Sequence, residues 1–197
     1  IVVACNTASS LALDHIKLKF NLPIIGVIEP GVHSAIAVTK NNRIGVLGTQ
    51  ATIRSDAYGS ELQSINGEID VVSQACPLFV PLAEEGWVSG DVPTSVARTY
   101  LEPILMSNVD TVILGCTHYP LLKPILSHVL GSEVCLVDSG EATATAVDSV
   151  LDEHYLGAEE KAGEIQCFVT DSPDSFEALA GRFVKANISA ITHIDIS

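Results

Sequence analysis

The chain has 197 residues, 47% of them hydrophobic, enough for one large domain or two small ones around a buried core. With 10 basic against 24 acidic side chains the formal charge is −14. Nucleic acid and anionic membrane surfaces are therefore repelled unless a basic patch intervenes, and the sequence holds none. Cys5, Cys76, Cys116, Cys135 and Cys167 are odd in number and widely spaced, unlike a disulfide framework. No apolar run reaches membrane-spanning length and the first residues lack the basic start of a signal peptide, so a cytoplasmic protein is expected.

Short β-branched runs alternate with helical spacing along the chain, the α/β pattern. Residues 1–4, 24–28, 44–47, 69–72, 111–114 and 134–137 read as strands buried on both faces. Between them, residues 8–20, 32–39, 53–64, 78–86, 94–106, 121–130 and 142–152 read as helices. Pro30-Gly31, Asn41-Asn42 and Asn66-Gly67 punctuate connections, and Asp91-Val92-Pro93-Thr94 opens a helix with Thr94 as the expected cap. A solvated turn is expected over 158–164. A strand at 165–170, a helix near 175–186 and a strand at 191–196 then close the chain. Because Ile1 to Ala4 reads as the middle of a buried strand, residues upstream of Ile1 are expected to be missing.

Two cysteines share one local setting. Val2-Val3-Ala4-Cys5-Asn6-Thr7 and Ile113-Leu114-Gly115-Cys116-Thr117-His118 each end an apolar run where a helical pattern begins. A thiol at the carboxyl end of a strand, facing a helix start whose N–H groups favour anions, is expected to have its pKa shifted downward. Two such thiols from two parts of the chain suggest two acid/base groups approaching one substrate from opposite sides. Asn6 and Thr7 can donate hydrogen bonds to a substrate anion, and His118 can bind substrate or hold a neighbouring thiol in its protonation state. Blander readings stand beside these: cysteine as a small core hydrophobe, and His118 as a helix cap. A zinc site from Cys5, Cys116 and His118 lacks the usual ligand spacings.

Val3-Ala4-Cys5-Asn6-Thr7-Ala8-Ser9, Gly26-Val27-Ile28-Glu29-Pro30-Gly31, Gly45-Val46-Leu47-Gly48-Thr49, Pro77-Leu78-Phe79-Val80-Pro81-Leu82, Glu84-Glu85-Gly86 and Leu114-Gly115-Cys116-Thr117-His118-Tyr119-Pro120-Leu121 together resemble the bacterial glutamate racemases of the aspartate/glutamate racemase family. The likeness runs from Ile1 to about Ala144. Aspartate racemases typically carry Glu where this chain has His118, which favours the glutamate branch. The resemblance implies interconversion of L- and D-glutamate with neither pyridoxal phosphate nor metal, supplying D-glutamate for peptidoglycan. It implies that Cys5 acts on D-glutamate and Cys116 on L-glutamate. Asn6, Thr7, Thr49, Thr52, Thr117 and His118 match positions that bind substrate or assist proton transfer, and Glu84 matches a carboxylate that tunes the site. The family's N-terminal Asp-Ser-Gly signature has no counterpart before Cys5. Val137-Asp138-Ser139-Gly140 is read instead as a strand-to-helix connection capped by Asp138 or Ser139.

The expected architecture is two pseudo-symmetric α/β domains with mainly parallel sheets facing a central cleft, one comprising residues 1–26 plus 138–197 and the other residues 27–137. Expected partners are glutamate, with no nucleic acid and no membrane; a homodimer is left open. The rival readings are a racemase or decarboxylase acting on another small acid, and a catalytically dead paralogue that binds an amino acid.

Overall fold

A computed structural model describes residues 1–154, 156–157, 163–184 and 187–196. They form strands β1 (Val2–Val3), β2 (Ile25–Gly26), β3 (Arg43–Gly48), β4 (Asp70–Ala75), β5 (Thr111–Gly115), β6 (Cys135–Asp138), β7 (Ile165–Val169) and β8 (Ile188–His193). The helices are α1 (Asn6–Lys17), α2 (Ile28–Val38), α3 (Gln50–Ser55), α4 (Ala57–Ile65), α5 (Phe79–Glu84), α6 (Asp91–Met106), α7 (Lys123–Leu130), α8 (Ser139–Glu153) and α9 (Pro173–Phe183). Every pairing between these strands is parallel, as the α/β pattern predicts. Two compact units result, Ile1–Tyr155 and Leu156–Ser197.

The first unit is built on a four-stranded sheet of order β4-β3-β5-β6. Its two central strands are buried throughout apart from Arg43, and their side chains divide between two cores by the two-residue period of a strand. Leu47, Val112 and Leu114 face Leu101 and Ile104 of α6 and Leu126 of α7. Ile44, Val46 and Ile113 face Val32 and Ala35 of α2 and Tyr58 and Leu62 of α4. A separate pair, β1 with β2, carries α1. The second unit pairs β7 with β8, joined by α9.

Asp110 fastens the end of the sheet away from the site. Burial opposes its ionisation, but hydrogen bonds from Thr39 Oγ1 (2.7 Å), Thr111 Oγ1 (2.8 Å) and the backbone N–H groups of Lys40 (2.7 Å) and Asn41 (2.8 Å) hold its carboxyl below the usual range.

Several sequence expectations are corrected. Ile28 opens α2 rather than closing a strand. The helix expected over 53–64 is two helices, because Asp56 turns left-handed at φ 52° between them. Thr94 is not the cap of α6: the helix starts at Asp91 after Gly90 (φ 95°), and the Thr94 hydroxyl donates to Gly90 O within the first turn. Burial on both faces holds for β3 and β5 but not for β4, whose residues are half-buried or exposed, nor for β1, where Val2 is exposed. Asp138 does cap α8, accepting from Gly140 N at 2.8 Å. Of the closing segments, residues 158–162 and 185–186 lie outside the described residues.

Candidate active site

Strand order places the site. The chain runs from β3 outward to β4 and then returns to the other side of β3 as β5, so the connections leaving β3 and β5 part in opposite directions. A crevice opens there at the carboxyl ends of the strands, where open α/β sheets bind ligands. Register pairs Gly48 with Gly115, bringing the following residues, Thr49 and Cys116, to adjacent strand ends. Gly115 is required by this closeness: a Cβ there would lie 2.7 Å from Leu47 O and 3.0 Å from the Tyr58 ring.

The start of α1 meets the same crevice. Cys5 occupies the N-cap position in extended backbone, exposed, with Asn6 and Thr7 opening the helix. Thr7 Oγ1 lies 2.9 Å from Thr49 Oγ1 and 3.1 Å from Thr52 Oγ1, and the last two are 3.1 Å apart, a triangle of hydroxyls. Thr49 also caps α3, accepting from Thr52 N at 3.2 Å. Asn6 is buried, and its Oδ1 accepts from the Tyr58 hydroxyl at 2.6 Å. Its Nδ2 is, among the described residues, a buried nitrogen with no hydrogen-bond partner.

Cys116 is 6% exposed, and burial pushes its thiol up to about 11, opposite to the expected downward shift. Hydrogen bonds from the backbone of His118, the Thr117 side chain and the backbone of Tyr119 work against that rise, while charge on Cys5 adds to it. Charge on Cys5 thus disfavours ionisation of Cys116, as it does only where the two sulfurs lie near one another. Two residues after Cys116, His118 Nε2 stands 3.2 Å from Glu84 Oε1, and its Nδ1 is 3.3 Å from Thr117 Oγ1. His118 takes the N-cap position of the 3-10 turn Tyr119–Leu122 but makes no side-chain cap bond there, contrary to the capping alternative. All nine residues singled out in the sequence lie at this crevice or on its rim by these contacts. Among the described residues no group of three or more His, Cys, Asp or Glu side chains is arranged as metal ligands would be, and no helix is long and apolar enough to cross a membrane.

Residues 1–147 match the family described as Asp/Glu/Hydantoin racemase. The chain belongs to that family. It is 46% identical over its whole length to a glutamate racemase of Geobacter metallireducens, covering 73% of that protein, and 42% identical to one of Listeria monocytogenes, covering 74%. The structure superimposes on a Bacillus anthracis glutamate racemase with a TM-score of 0.94 at 36% identity, spanning 99% of this chain and 73% of that one. For the Francisella tularensis glutamate racemase, solved with D-glutamate, the values are 0.92, 35%, 99% and 73%.

One residue that reaches this crevice through Asn6 escaped the sequence reading. Tyr58 sits at helical spacing from Leu62 and reads there as a core aromatic; only its hydroxyl, which a buried tyrosine must satisfy, signals another role.

The raised thiol has a consequence for stability. An unfolded cysteine loses its proton near about 8.5. Folded Cys116 keeps it to about 11. Between these values the folded state binds more protons than the unfolded, so the contribution is complete below the unfolded pKa and lost as pH rises through the folded one. The loss is roughly 3 kcal/mol for this thiol, and buried Cys76, also raised by desolvation, adds to it. Urea unfolding midpoints should fall from near-neutral to about pH 10, and less steeply in Cys116→Ser. Equal slopes in the two proteins would contradict the raised pKa.

Proposed function

We propose that this chain racemizes glutamate by moving protons between Cα and two thiols, Cys5 and Cys116, on its opposite faces, the reading carried by two thiols that approach one crevice closely enough for charge on Cys5 to raise Cys116. At neutral pH Cys116 is the thiol, since burial holds its proton. It is the proton donor when D-glutamate is consumed, with Cys5 removing the α-proton. When the proton leaves Cys116, the donors from Thr117, His118 and Tyr119 meet the new thiolate, which makes the reverse role, base toward L-glutamate, accessible. After each turnover the two thiols have exchanged roles.

The remaining residues bind and orient. The hydroxyls of Thr7, Thr49 and Thr52 and the Asn6 amide supply neutral donors for the substrate carboxylates. Such donors also suit the charge that builds on the α-carboxylate as Cα loses its proton. His118, held between Glu84 and Thr117, is placed to tune the proton on the Cys116 side. Lys123, the lysine nearest Cys116 in sequence, is paired with Asp138 at 2.9 Å and Glu141 at 2.8 Å rather than free to hold pyridoxal phosphate as a Schiff base. Residues 1–26 with 138–197, and 27–137, remain our proposed division of the catalytic fold. D-glutamate made this way is a precursor of peptidoglycan, and the reaction belongs in the cytoplasm.

Purified protein should racemize L- and D-glutamate with no cofactor added and in the presence of a metal chelator and hydroxylamine. Circular dichroism or chiral chromatography reads the outcome. Strict dependence on a metal or a carbonyl cofactor would overturn the mechanism, and binding without turnover would favour the paralogue reading.

A further inference from the structure

Asn6 presents an imbalance. Its carbonyl oxygen is satisfied at 2.6 Å by Tyr58, while its NH2 group is buried and, among the described residues, unpartnered. A buried donor left without an acceptor is destabilising, and such groups persist where a ligand completes them. We propose that Tyr58 is a positioning residue of the racemase: its hydroxyl fixes the Asn6 amide in the one orientation that presents NH2, not C=O, to a substrate carboxylate. The proposal rests on the glutamate racemase reading for the identity of that carboxylate.

Tyr58 is built to hold one position. It is 2% exposed, and its ring lies between two glycines, Gly115 on one edge, whose missing Cβ gives it room, and Gly31 on the other. A Cβ on Gly31 would stand 3.5 Å from the ring and 3.6 Å from the hydroxyl oxygen. Ser139, whose hydroxyl donates to Leu114 O at 3.1 Å, lies beside the Tyr58 oxygen. The Tyr58 proton goes to Asn6 Oδ1, an acceptor at 2.6 Å. Rotating the Asn6 amide by half a turn would take the acceptor away from the Tyr58 proton at 2.6 Å and point a carbonyl oxygen at the carboxylate. The hydroxyl also joins α4 to α1, so it fixes Asn6 relative to Cys116, the residue after Gly115.

Tyr58→Phe keeps the ring and removes only the hydroxyl. In the intact protein KM for both glutamate enantiomers should rise about tenfold, as for one lost hydrogen bond, with kcat held within about threefold. Asn6→Ala should raise KM similarly, and the double variant should be no worse than Asn6→Ala alone. The side-chain amide resonances of Asn6, assigned by their loss in Asn6→Ala, should shift in Tyr58→Phe while distant signals stay in place. Additive effects in the double variant, or an unmoved Asn6 resonance, would overturn the proposal. If the unmodified protein turned over no glutamate, the racemase reading would fail, and the amide resonance would still decide whether Tyr58 orients Asn6.

Discussion

Cys116→Ser and Cys5→Ser should each lower kcat for both enantiomers by roughly 10²- to 10⁴-fold, the range for removing a positioned acid or base. Each turnover requires one group to take a proton while the other gives one, so neither direction survives loss of either thiol. Serine keeps the size of the side chain but not its acidity, and no anion forms on it near neutral pH. At position 116 a serine oxygen can still accept the bonds from Thr117, His118 and Tyr119, so the fold should be retained. Glutamate affinity measured by calorimetry should change far less than turnover, because Thr7, Thr49 and Asn6 remain in place. Near-normal racemization by either variant would exclude the two-thiol mechanism.

Gly115→Ala should be among the most damaging single changes outside the thiols. The added methyl would meet Leu47 O at 2.7 Å, a backbone atom of the neighbouring central strand that cannot swing aside, and the Tyr58 ring at 3.0 Å. Overpacking of this kind typically destabilises by about 1–3 kcal/mol. Backbone contact, with no flexible side chain to yield, puts this site at the upper end. Relief by moving Tyr58 would also break its bond to Asn6, so surviving folded protein should show raised KM in addition to a lowered unfolding midpoint. Gly131, where a Cβ would meet nothing within 4 Å, lies in an open loop but at φ 88°, so Gly131→Ala tests strain without crowding. Thermal unfolding of the two variants separates these causes; a Gly115→Ala midpoint equal to that of the unmodified protein would refute the close approach.

Much of this is legible in the sequence. β-branched runs between helical spacings specify buried parallel strands because each residue type suits one period, and Cys5 and Cys116 stood out as polar-flanked thiols at the ends of such runs. The threonines at 49 and 52 were reached through resemblance alone; their triangle with Thr7 depends on α1 meeting α3, a contact between distant segments that no local pattern encodes. The helix break at Asp56 was hidden because an aspartate in left-handed backbone leaves the apolar spacing on either side almost unchanged. That break separates α3, which carries Thr52, from α4, which carries Tyr58. The direction of the Cys116 shift was missed for a related reason. Local sequence shows the nearby N–H donors, but the burial that outweighs them comes from Leu47, Tyr119 and the rest of one core, assembled from many parts of the chain.

The most direct test of the central claim is a single-turnover reaction of L-glutamate in deuterium oxide, with Cα–H of substrate and product read separately by NMR or mass spectrometry. Two thiols on opposite faces predict that D-glutamate carries deuterium at Cα from the first turnover, because the group that gives the proton is not the one that took it, while the remaining L-glutamate is still largely protiated. Early D-glutamate that retained the original proton would mean one base serving both faces, and the two-cysteine account would be wrong.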